Sequence, residues 1–112
     1  HLDADFYMAS VYNLTREHHI SSAILGKSNE DEPFYDEDIP LMYAQIAKTK
    51  RQCLAFKILG ATRRCATPEM VRGCFAEAFE KIKPQDAVVV GMFQKYKDQI
   101  AENAETVRAL LK

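Results

Sequence analysis

Lys57 stands inside an otherwise apolar run, Cys53-Leu54-Ala55-Phe56-Lys57-Ile58-Leu59. An ammonium surrounded by such neighbours is costly unless something pairs with it, and desolvation favours the neutral amine. A lysine so placed serves as a Schiff-base nucleophile, a proton donor or an anion clamp. The competing reading is a packed stem whose ammonium pairs with a carboxylate such as Asp5 on a neighbouring strand. Just beyond the run, Gly60 followed by Arg63 and Arg64 puts a flexible backbone and two guanidinium groups together. That is a seat for a phosphate or carboxylate, or equally a solvated turn, since no glycine-rich phosphate loop accompanies it. A third group, Tyr7, Tyr12, His18 and His19, gathers near the first apolar run, and Asp5 shares a strand face with Tyr7 by the two-residue period. The catalytic candidates are therefore Lys57, Tyr7 and Asp5, with Arg63, Arg64 and His18 as substrate-binding candidates. No metal is expected, because adjacent histidines diverge on a helix and chelate poorly.

Three helices and three strands must position these groups. Thr67-Pro68-Glu69 opens a helix over about 67–83, with Thr67 as cap, Pro68 needing no N–H and Glu69 set against the dipole; Met70, Val71, Cys74, Phe75, Ala78, Phe79 and Ile82 line one face. A second helix spans about Lys97 to Leu111 on a stripe of Ile100, Ala104, Val107 and Leu111. A third runs from Asp38, as cap, to Lys50, with Ile39, Met42, Tyr43 and Ile46 inward and Pro40 tolerated in the first turn. Between the helices, Ala87-Val88-Val89-Val90 and residues 53–59 are continuous apolar runs that suit parallel strands buried on both faces, and Asp5–Tyr12 reads as the first strand. The order is strand, helix, three times over, hence an α/β fold of three consecutive βα units with parallel strands.

Residues 13–38 interrupt this rhythm where a loop of about 2–6 residues is usual. Thr15 to Leu25 suits a short helix. The rest carries Glu30, Asp31, Glu32, Asp36, Glu37 and Asp38 against Lys27 alone, either a solvated loop or a lid over the strand ends. Asn13-Leu14-Thr15 fits the glycosylation pattern and is read as chance beside free thiols. Three such units leave two sheet edges open, whereas eight close into a barrel. The expectation is the C-terminal portion of a (β/α)8 TIM barrel, its missing half supplied elsewhere or its edges covered by self-association.

Composition narrows the function. The chain has 112 residues, 47% hydrophobic, with 15 Lys plus Arg against 16 Asp plus Glu, so it is neither disordered nor a general nucleic-acid binder. No apolar run approaches the roughly 18 residues that cross a bilayer. Cys53, Cys65 and Cys74 form no CxxC pair, which argues for free thiols and a reducing, cytoplasmic compartment.

The segment Val90-Gly91-Met92-Phe93-Gln94-Lys95-Tyr96-Lys97-Asp98-Gln99-Ile100-Ala101-Glu102-Asn103 resembles the end of the aldo/keto reductase barrel, where the eighth strand ends in a small-residue turn and the next helix opens with Gln or Arg three residues before Glu-Asn. The segments Ala55–Ala61 and Asp5–Met8 look most like a bacterial branch of such barrels. The resemblance implies nicotinamide-dependent hydride transfer to or from a carbonyl or alcohol, with NADP as cofactor. It implies Gly91 and Met92 at the phosphates, Gln99 in the place of a phosphate-contacting Arg or Gln, and Glu102 and Asn103 near the adenine. A helix N-terminus after a strand-end glycine agrees in outline. Here the turn is longer than in the family, Gln replaces Arg, and the family's catalytic residues come from earlier strands. Two alternatives stand beside it: a barrel aldolase, lyase or isomerase with Lys57 as reactive amine and Arg63 or Arg64 on the substrate anion, and a non-catalytic partial barrel serving as an assembly or binding module.

Overall fold

In the computed structural model, which describes residues 4–12 and 34–112, each of the three apolar runs forms a strand. β1 (Phe6–Ser10), β2 (Gln52–Phe56) and β3 (Ala87–Val89) lie side by side in that order and are all parallel. α1 (Asp38–Lys48) and α2 (Pro68–Lys81) connect them, and α3 (Gln99–Leu110) follows β3. A strand order that never reverses sends right-handed crossovers to the same side of the sheet.

Burial follows from that. The register aligns Tyr7 with Cys53 and Ala9 with Ala55 and Val88, and these side chains pack with Val11, Ile39, Tyr43, Ile46, Ile58, Phe75 and Ala78, with Val107 and Leu110 of α3 against them. The alternate residues form the other face. Phe6, Met8 and Val89 are 50%, 54% and 43% exposed, and Leu54, Phe56 and Ala87 are half-buried. The expectation of strands buried on both faces is thus corrected: the helices cover one face, and among the described residues no second layer covers the other.

Local chemistry sets the element ends. Thr67 Oγ1 accepts from the Met70 N–H at 3.2 Å, capping α2, and Asp98 Oδ1 does the same for Ala101 at 3.0 Å at the start of α3. Asp38 is the first residue of α1 rather than its cap; the Asp38 and Ile39 N–H groups bond back to the carbonyls of Tyr35 and Asp36 instead. The stripe expected on α3 is shifted, with Ile100 and Leu111 exposed and Leu110 packed inward. Asp86, whose side chain is fully buried, accepts from the Cys53 N–H at 2.8 Å, the Lys83 N–H at 2.9 Å and the Lys83 ammonium at 2.7 Å. Lys83 Nζ also donates to the Ile46 carbonyl at 2.7 Å, so one carboxylate fastens the end of α1, the start of β2 and the turn before β3.

Candidate functional site

The site begins where β2 ends. The run 53–59 does not continue as a strand, because Lys57 turns to φ 61° and the Gly60 N–H closes on its carbonyl at 2.9 Å. Gly60 (φ 61°), Ala61 (φ 49°) and Thr62 (φ 81°) also take left-handed conformations. Each non-glycine residue there costs roughly 1–2 kcal/mol, and backbone held in this way concentrates at functional sites. What holds it is Arg64, whose guanidinium bonds Glu77 of α2 at 3.0 Å and the Ile58 carbonyl at 3.5 Å. Burial alone would lower the Arg64 pKa, and the bond to Glu77 with nearby negative charge more than reverses this. Arg63 Nη1 donates to the Gly60 carbonyl at 3.2 Å, and its guanidinium lies 5.5 Å from the centre of the Phe34 ring. A Cβ on Gly60 would meet Arg64 Cγ and Phe34 Cζ at 3.1 Å.

On the other side of this turn a cleft of about 840 Å³ opens between the carboxyl ends of β2 and β3 and the first two turns of α3. Lys57, Thr62 and Cys65 line it from the β2 side, Gly91, Met92 and Phe93 from the β3 side, and Gln99, Glu102, Asn103 and Thr106 from α3. The Lys57 ammonium lies 5.2 Å from the centroid of the Tyr12 ring and 6.0 Å from that of Phe56. Glu102 pairs with Lys97 at 2.7 Å. The loop before α3 is tied to the helix's own first turn: Gln99 Oε1 accepts from the Phe93 N–H at 2.8 Å and Gln94 Oε1 from the Ile100 N–H at 3.2 Å. The Gln94 side-chain amide donates to Asp98 at 3.0 Å, which with the Ala101 N–H holds that carboxyl below its usual range.

The structure brings Lys57, Gly91, Met92, Gln99, Glu102 and Asn103 to this one cleft. Others it separates. Asp5 and Tyr7 lie at the amino end of β1, where Phe6 is level with Gln52 and Tyr7 with Cys53, so neither shares a site with Lys57, and Asp5 is not its counter-ion. The expected strand-borne, lumen-facing Lys57 is likewise corrected: it sits beyond the strand, turned by its own backbone. Arg63 and Arg64 face a second, smaller hollow with Phe34, Asp36 and Glu77, as braces of the turn rather than partners of Lys57. His18, the 13–33 part of the long loop and the Asn13 motif lie outside the described residues.

Thr62, Cys65 and Thr106 are cleft residues not expected from sequence. Thr106 had a signal, since it continues the spacing of Gln99, Glu102 and Asn103 by one helical turn; Thr62 and Cys65 enter through left-handed backbone that hydropathy does not encode. Among the described residues no cluster of three His, Cys, Asp or Glu could hold a metal ion, and no helix is long and apolar enough to cross a membrane. No family model, curated protein or solved structure matches the chain.

Proposed function

We propose that this chain supplies the cofactor-binding end of an aldo/keto-reductase-like oxidoreductase built on a (β/α)8 barrel, with the bare apolar sheet face turned to the barrel lumen. The observation that carries it is the convergence of Gly91, Met92, Gln99, Glu102 and Asn103 on one cleft at the carboxyl ends of parallel strands, where ligands of such barrels meet the protein. A bound nicotinamide cofactor supplies the hydride chemistry. The residues fit it: the cleft's volume lies within the roughly 300–1,000 Å³ of small-molecule sites, Gly91 has nothing within 4 Å of where a Cβ would stand, and Asn103 and Gln99 offer amide groups along α3. Gly91 and Met92 would face the phosphates, and Glu102 and Asn103 the adenosine end.

Titration of the protein with NADPH and with NADH, followed by nicotinamide fluorescence, tests the reading. Saturable binding is expected. Gly91→Leu should leave the thermal midpoint unchanged, since its side chain enters open space, and weaken binding about tenfold or more. No saturable binding of either cofactor overturns the proposal.

One observation favours a second reading, a Schiff-base aldolase or lyase: Lys57 lines the cleft with no described carboxylate in ion-pair contact with its ammonium. Borohydride trapping with a carbonyl compound followed by peptide mapping separates the two. An adduct on Lys57 supports the lyase, and its absence removes that reading's central residue.

A further inference from the structure

We propose that the compound acted on in the cleft is a small oxo or hydroxy acid and that Lys57 holds its carboxylate. The inference rests on the oxidoreductase reading for calling this compound the substrate, while the anion site itself stands on the geometry alone. Lys57 is the one cation among the described residues that line the cleft. It is half-buried, and no ion pair joins it to a described carboxylate; of the two acids of the wall, Glu102 is engaged by Lys97 at 2.7 Å, and Glu105 makes no ion pair with Lys57. Its ammonium rests instead against the Tyr12 and Phe56 rings. Ring faces orient a cation without neutralising it, so its charge is left for a ligand.

The backbone points the same way. An extended Lys57 would have continued the alternation of β2, whereas φ 61° takes it off the strand at the cleft's edge, and the Arg64–Glu77 pair fixes the turn that does so. The anion falls to the substrate rather than to cofactor phosphates because Lys57 comes from the β2 end, while the proposed cofactor residues come from the β3 end and α3. An apolar floor beneath the ammonium lowers the local dielectric and strengthens attraction to a carboxylate.

Amide chemical-shift titrations with pyruvate, neutral acetone of matching shape, and inorganic phosphate, run without and with saturating NADPH, test this. Pyruvate should shift the Leu59, Ala61 and Thr62 amides saturably and bind at least about tenfold more tightly than acetone. Lys57→Gln should erase that difference with the rest of the spectrum unchanged, Lys57→Arg should keep most of it, and added salt should weaken it. Equal binding of acetone and pyruvate, or full binding by Lys57→Gln, overturns the proposal. So does phosphate binding more tightly than pyruvate, which gives the site to a phosphoryl group. Loss of the pyruvate response under NADPH, together with weaker NADPH binding by Lys57→Gln, also overturns it by giving Lys57 to the cofactor. A pyruvate response as described in a protein that binds neither nicotinamide cofactor sustains the anion site and sinks only the oxidoreductase reading.

Discussion

Thr62 carries a branched side chain at φ 81°, and two residues earlier Gly60 sits at φ 61° against Arg64 and Phe34. The two positions share a backbone region and should answer opposite substitutions with opposite signs. Thr62→Gly releases a left-handed strain of roughly 1–2 kcal/mol, offset in part by the freer unfolded chain that glycine brings, so a net gain of about 0.5–1 kcal/mol is expected. Gly60→Ala adds both that strain and a Cβ contact at 3.1 Å, and a loss of about 2 kcal/mol is expected. Urea denaturation of the two variants measures both; a loss on Thr62→Gly would mean that the threonine side chain holds the turn in a way its φ does not suggest.

At the scale of elements, Asp86 is the shared fastening of α1, β2 and the turn before β3. Burial by itself would raise its pKa; hydrogen bonds from the Lys83 ammonium and from the Cys53 and Lys83 N–H groups outweigh this and hold the carboxyl below the ordinary carboxylate value. A depressed acid stabilises the fold fully above the ordinary value of about 3.9 and loses that contribution as the pH falls through the lowered one. The unfolding free energy should therefore decline below about pH 4, and Asp86→Asn should flatten that decline while costing about 3 kcal/mol at neutral pH by leaving Lys83 without its anion. An unchanged acid limb in the variant would assign the decline to other carboxylates. The elements that sequence foretold best are those whose signals are local. Thr67-Pro68 marks the start of α2 because cap and first-turn chemistry involve neighbours in the chain; Gln99, Glu102 and Asn103, named only through the resemblance, line one cleft because they sit within one turn of α3. The apolar run 53–59 is longer than the strand it forms because Leu59 and Ile58 are as apolar in a turn as in a strand, and only the sign of φ at Lys57 tells them apart. Asp86 gave no warning, since its three donors are assembled by the fold.

Among the described residues, three helices lie on one face of a three-stranded sheet, and Phe6, Met8 and Val89 show on the other. With this chain alone in solution, a lysine at Met8 would sit in water on such a face, so Met8→Lys should change stability by no more than about 0.5 kcal/mol, whereas a lysine at the wholly buried Ala55 should prevent folding. A loss of several kcal/mol at Met8, read by thermal denaturation, would show that the face is covered in solution. The uniform strand order has a further meaning for how such a molecule can arise. β2 receives β1 on one edge and offers β3 the same parallel pairing on the other, so each βα unit hands on the edge it was given. A sheet of that kind lengthens by repeating its unit, an operation that tandem duplication of a gene segment performs in one step, and each added copy arrives with its helix already on the covered side.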